Sequence, residues 1–231
     1  MEAEAQFIHY QLKEAMPSLM KEGQQNDGRA LYALGQIFLT QGIYTGDTRT
    51  LLRSMAAFSK GKEDSEEKVL CRSACCTMEV GGLSRTGKTE DDVAMADALS
   101  RMAEGGDVLA MMELGMAYGF GILVKPDRDM ALSWLTKAAD AGYWAAMLQA
   151  AGILMRQQDT EVRRKAFGYA EKAAKMGDNL ALVRLGDCYH YGLGCEKSFE
   201  QARRCYDMAC RSEARLLAVY SMARHYEYQP F

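Results

Sequence analysis

Gly82-Leu83-Ser84-Arg85-Thr86-Gly87-Lys88-Thr89 has the spacing G-x-x-x-x-G-K-[ST], the loop that wraps backbone N–H groups around a polyphosphate. In that chemistry Gly82 and Gly87 let the chain close on the anion, Lys88 reaches the terminal phosphates and Thr89 offers its hydroxyl to magnesium. The loop needs a buried strand before it and a helix after it, inside a parallel sheet. A helix could follow at Glu90, but Cys75-Cys76-Thr77-Met78-Glu79-Val80 is short and polar for a central strand. No second strand ending in an acidic residue is evident. Nucleotide-dependent regulation through Gly82, Gly87, Lys88 and Thr89 therefore stands as the alternative function.

Cys188, His190 and Cys195 lie close in sequence and could suggest metal. They form no C-x-x-C pair and have no fourth ligand nearby, so no metal site is expected. Catalysis by a serine or cysteine needs a positioned base. The three histidines, His9, His190 and His225, are scattered, and Cys75-Cys76 has none nearby in sequence. The acidic run Glu90-Asp91-Asp92 suits a helix amino terminus, where it favours the dipole. The residues thus offer no catalytic set and no cofactor site.

The 231 residues carry a net charge of −3, and no Lys/Arg run with interleaved aromatics marks a nucleic-acid surface. Glu2 and Glu4 stand where an export signal would carry basic residues, and no apolar stretch is long enough to span a membrane. Seven cysteines, an odd number, cannot all pair within the chain, which favours reduced thiols in the cytoplasm. Only three prolines interrupt a composition rich in alanine, leucine and methionine, so the chain leans all-α.

The elements that must position any site show themselves as an internal repeat. Units begin at Gly106, Gly142 and Gly177. Ala110, Leu114, Gly115 and Tyr118 return as Ala181, Leu185, Gly186 and Tyr189. Ala131, Ala138 and Ala139 return as Ala166, Ala173 and Ala174, then as Ala202, Ala209 and Cys210. Ala110, Leu114 and Tyr118 form one stripe of a first helix. Gly115 lies beside it, where the missing Cβ admits a neighbouring helix. Gly119-Phe120-Gly121 turns the chain, and a second helix presents Ala131, Trp134, Leu135 and Ala138 on one face.

This pattern, with Gly121, Lys137 and Gly142 added, resembles the Sel-one-like repeat, a relative of the tetratricopeptide repeat. The third unit matches through Gly192, Gly194 and Tyr206 as well, whereas the middle unit departs, with Ala150, Ala151 and Leu154 and no double glycine in its loop. Cysteine-rich secreted relatives join the two helices of a unit through an A-C pair and a later cysteine. Here Ala209-Cys210 is followed by Ala218 at that place, so the pattern fails.

The resemblance implies an all-α fold, a right-handed α-α superhelix or solenoid of about five helix-turn-helix repeats. The expected repeats are 27–61, 66–105, 106–141, 142–176 and 177–212, in one continuous array. Capping helices are expected at 1–26, as one leading helix, and at 213–231, as a half-repeat. The resemblance also implies a non-enzymatic interaction scaffold or adaptor, an inhibitor or immunity protein being a variant of it. A protein or peptide partner would lie on a concave surface of first helices, with no nucleic acid, membrane or small-molecule substrate expected. On that surface the repeat register places Tyr32, Gln36, Met112, Glu113, Met116, Gln149, Arg184, Asp187 and His190.

Overall fold

The computed structural model describes residues 2–64, 68–80 and 90–211. Among the described residues there are twelve helices and no strand. The expected half-repeat at 213–231 and the Gly82–Thr89 loop lie outside them.

Two helices open the chain, α1 (Glu2–Ile8) and α2 (Leu12–Gln24), where the sequence predicts a single leading helix. The break is a back-bonded helix end. Tyr10 takes a left-handed φ of 62°, its N–H donates to Phe7 O at 3.1 Å, and the Gln11 N–H donates to Gln6 O at 2.7 Å. A tyrosine in this conformation costs roughly 1–2 kcal/mol. Burial on both sides of the turn offsets it: Phe7 is fully buried, and the Tyr10 ring meets Trp144 edge-on at 5.0 Å.

Five helix pairs follow. They are α3 (Gly28–Thr45) with α4 (Thr48–Asp64), and α5 (Lys68–Val80) with α6 (Glu90–Glu104). Then come α7 (Val108–Phe120) with α8 (Arg128–Asp140), α9 (Trp144–Leu154) with α10 (Thr160–Lys175), and α11 (Asn179–Tyr191) with α12 (Phe199–Cys210). The chain divides into two compact units, Met1–Thr40 with Thr48–Ala146, and Gln41–Asp47 with Met147–Phe231.

Three of the five pairs close on a glycine. A Cβ on Gly35 would stand 2.3 Å from the Phe58 ring, one on Gly115 would stand 2.7 Å from Leu135, and one on Gly186 would stand 2.4 Å from the Tyr206 ring. The first helix thus supplies a hole and the second a large apolar knob, the close crossing expected from the sequence. The α9–α10 pair holds Ala151 at the hole position and Ala170 at the knob position, both fully buried. Where the hole closes by one methyl, the knob shrinks to match, which keeps the interior filled.

The junctions between pairs repeat a second device. Asn26, Gly106 and Gly177 take left-handed φ values of 63°, 94° and 100°. Each is followed by an aspartate that caps the next first helix: Asp27, Asp107 and Asp178 accept the N–H of Ala30, Ala110 and Ala181 at 2.7–2.9 Å. Such a cap is worth about 1 kcal/mol. At the fourth junction Gly142 turns the chain with φ 96°, but Tyr143 replaces the aspartate.

In the first unit the core gathers Phe7, Leu19, Tyr32, Ile37, Phe58, Leu70, Leu99, Leu109, Leu114, Leu135 and Tyr143, none more than 1–2% exposed. Helix α1 is tied to the repeats at several junctions. Phe7 packs at a tilt against the Tyr143 ring, with centroids 5.7 Å apart, and Glu4 holds Arg29 at 2.6 Å while Arg29 also pairs with Asp107. In the second unit Val183, Ala202, Tyr206 and Ala209 form a core, with Leu180, Leu182, Tyr189 and Cys210 packed against it.

Candidate functional site on the first helices

Helix α7 is apolar almost all round, and α5, α6 and α8 all pack on it. A helix enclosed in this way buries residues outside its main stripe. Met112 and Glu113 are 4% and 2% exposed, and Tyr32 is fully enclosed. These three therefore present no side-chain surface to a partner, which corrects the expectation from the sequence. Met116 and Gln36 are half-buried.

Instead, the polar members of this set bind one another. The Tyr32 hydroxyl donates to Glu113 Oε1 at 2.7 Å. Gln36 Nε2 donates to the Tyr32 oxygen at 3.2 Å and reaches Glu113 Oε1 at 3.5 Å. Glu113 Oε2 is buried without a hydrogen bond, as is the Tyr143 hydroxyl. Burial pushes the Glu113 carboxyl up to about 7, eased by the hydroxyls of Tyr32 and Ser73. The same burial, together with the Glu113 charge, raises Tyr32 and Tyr143 well above the ordinary phenol range. The cluster is a buried polar contact that joins α3 to α7. Sequence reading found Tyr32, Gln36 and Glu113 but not Ser73 or Tyr143, which no periodic signal connects to them.

In the second unit Gln149 is exposed, Arg184 and Asp187 are half-buried and His190 is buried at 3% exposure. His190 lies between the rings of Tyr191 and Phe199, at 4.4 and 5.3 Å, so it too is a packing residue and not a contact for a partner. Asp187 Oδ1 accepts the Tyr206 hydroxyl at 2.7 Å, linking α11 to α12. Arg184 lies over α9. Its Nη2, Cζ and Nη1 stand 3.4, 3.5 and 3.7 Å from where a Cβ on Gly152 would be. Its Nε is buried without an acceptor.

The thiols of this unit sit where apolar packing puts them. Cys188 is fully buried, with its sulfur 3.9 Å from that of Met155. Burial first, and Cys195 next, push its thiol up to about 12, and burial pushes Cys205 up to about 11. Among the described residues no group of three or more His, Cys, Asp or Glu is placed to hold a metal ion. The residues leading to Gly82 form helix α5, where a phosphate-binding loop requires a strand.

Helix α1 contributes a feature the sequence did not announce. Glu4, Ala5, Ile8, Leu19, Glu22, Asp27, Arg29 and Ala30 line a cleft of about 510 Å³ where α1, α2 and the start of α3 meet. Hydrogen bonding to Glu4 and then to Asp107 holds Arg29 firmly protonated, against the cost of its partial burial. Among the described residues no helix is long and apolar enough to cross a membrane.

The alternating first and second helices, the glycine holes and the capped junctions define a helical-repeat protein of the α-solenoid class. Residues 108–143, 144–178 and 179–213, a little under half of the chain, match the Sel1 repeat. A Sel1 repeat protein from Oxalobacter formigenes has a crystal structure that superposes with a TM-score of 0.50 at 26% identity, covering 90% of this chain and 59% of that one. Mouse DAP3-binding cell death enhancer 1 is 35% identical over 89 residues, 38% of this chain and 17% of that protein. The Arabidopsis thaliana ERAD-associated E3 ubiquitin-protein ligase component HRD3A is 31% identical over 118 residues, 46% of this chain and 17% of that protein. The match therefore spans about a sixth of the length of either relative. Sel1 repeats generally mediate protein–protein interaction and are not typically enzymatic.

Proposed function

We propose that this chain is a non-enzymatic scaffold or adaptor that holds a protein or peptide partner along its first helices. The observation that carries this reading is the run of three Sel1 repeats over residues 108–213. Two relatives support it through their names, one as a binder of DAP3 and the other as a component of a ligase. Of the expected first-helix residues, Gln36 and Met116 in the first unit and Gln149, Arg184 and Asp187 in the second retain exposed or half-buried side chains, and each is a candidate contact within its own unit. The odd count of seven cysteines favours a cytoplasmic setting for that partner.

The test is affinity purification of the tagged chain from its native cells, with mass spectrometry, beside a Met116→Glu/Gln149→Arg variant. A stoichiometric partner captured by the wild type and lost from a folded variant supports the scaffold. Capture of no protein by either form removes it. No observation favours the inhibitor variant or the nucleotide-regulated alternative.

A further inference from the structure

Arg184 is at odds with its surroundings. The residue is half-buried, its Nε is closed off from solvent without a hydrogen bond, and no carboxylate among the described residues pairs with it. A donor in that state costs about 1–3 kcal/mol relative to a satisfied one, and more when charged. The acid one turn further along α11, Asp187, is turned to another task, accepting the Tyr206 hydroxyl. Cys188, the other titratable group beside Arg184, is held neutral by burial. The site therefore carries a positive charge that no described carboxylate pairs with, in a chain whose net charge is −3.

Its position is also prepared. The guanidinium lies flat over Gly152, with both terminal nitrogens and the central carbon 3.4–3.7 Å from the absent Cβ. A single methyl there would meet the fork at ordinary contact distance, whereas a larger side chain would enter the space that the fork fills. Gln149, one turn before Gly152 on α9, is exposed and offers an amide beside it. A planar guanidinium laid against a helix has the fork geometry that matches the two oxygens of a carboxylate.

We propose that Arg184, seated on Gly152, is the docking point for a carboxylate of the protein partner. The partner segment is therefore acidic where it crosses α9 and α11. This rests on the scaffold reading and specifies the chemistry of one contact within it. The carboxylate comes from an aspartate or glutamate side chain or from a chain end, and the test separates the two.

The experiment follows the Arg Nε–Hε resonances of the full-length chain by NMR, assigned through Arg184→Gln. Two probes are added in turn: an acetylated and amidated Gly-Glu-Glu-Glu-Gly peptide, and an acetylated glycine peptide with a free carboxyl end. Sodium chloride of equal ionic strength is the control. The expected result is a saturable shift of the Arg184 signal, with binding weakened about tenfold in Arg184→Lys, which keeps the charge but loses the fork. A shift with the glutamate peptide assigns a side chain, and one with the free carboxyl end alone assigns a terminus. A response no larger than that to salt overturns the proposal. If the native partner is captured equally by wild type and by folded Arg184→Gln, the scaffold stands and this contact is overturned. Gly152→Val, which displaces the fork while retaining the charge, should weaken capture as Arg184→Gln does.

Discussion

Tyr32 and Glu113 lie 81 residues apart in sequence, and the Tyr32 hydroxyl donates to Glu113 Oε1 at 2.7 Å inside the first unit. This bond joins the first helices of two different pairs, α3 and α7, through groups that have no access to solvent. Gln36 completes one side of the carboxylate, while Oε2 is left without a bond. A buried acid of this kind holds its proton longer than an exposed one.

The stability of the protein should therefore depend on pH through Glu113. Its folded value is raised from 4.5 to about 7. The folded state then binds the proton more tightly, so its contribution is complete below about pH 4.5. It is lost as pH rises towards 7 and changes no further above that. The loss amounts to an order of 3 kcal/mol at most. Glu113→Gln keeps an acceptor for Tyr32 and carries no charge. Thermal melts from pH 5 to 8 should show a smaller decline for Glu113→Gln than for wild type, with the variant more stable at pH 8. Parallel curves for the two proteins would refute the assignment.

The glycine holes should be intolerant in proportion to the knob they receive. Gly186→Ala places a methyl 2.4 Å from a Tyr206 ring that is itself tethered to Asp187. Helix propensity favours the alanine by up to about 1 kcal/mol, but overpacking against a fixed ring costs roughly 1–3 kcal/mol, so a net loss is expected. In the α7–α8 pair, Gly115→Ala should cost less in a Leu135→Ala background than in wild type, because that double variant copies the Ala151 and Ala170 of the next pair. A double-mutant cycle by urea unfolding measures the coupling, and strict additivity would exclude it.

Gly194 should be the least replaceable glycine. It combines a φ of 77° with a Cβ position 2.1 Å from the Arg163 carbonyl oxygen, a backbone atom that cannot step aside. Gly194→Ala is expected to destabilise by about 2–4 kcal/mol. Gly168→Ala, at a half-buried position of α10 with nothing within 4 Å, should instead stabilise by roughly 0.5–1 kcal/mol. Opposite shifts in Tm are the expected outcome.

Cys188 and Cys205 should resist alkylation. Burial excludes reagent and holds their thiols near 12 and 11, so little thiolate exists at pH 8. Cys195, half-buried in the loop between α11 and α12, should label before either of them. Peptide mass mapping over a time course of iodoacetamide checks the order, and labelling of Cys188 at the rate of Cys195 would contradict it.

The sequence alone determined the class of fold, the helix pairs and their closest crossings. A spacing of 35–36 residues between matching alanines and glycines is a local statement repeated, and Gly115 and Gly186 carried their role in their residue type. The capping roles of Asp27, Asp107 and Asp178 emerged with the structure, where each accepts an N–H at the start of a first helix. What only tertiary structure decided was which first-helix residues remain available. Repeat register places Tyr32, Met112, Glu113, Arg184 and His190 off the main stripe, and a helix with one covered face would expose them all. But α7 is enclosed by α5, α6 and α8, and that enclosure comes from long-range stacking, which periodicity within one helix does not report. It buries Glu113 against Tyr32. Arg184 differs for an equally non-local reason: its neighbour across the groove is Gly152, which has no side chain to cover it, and the nearby acid is bound to Tyr206.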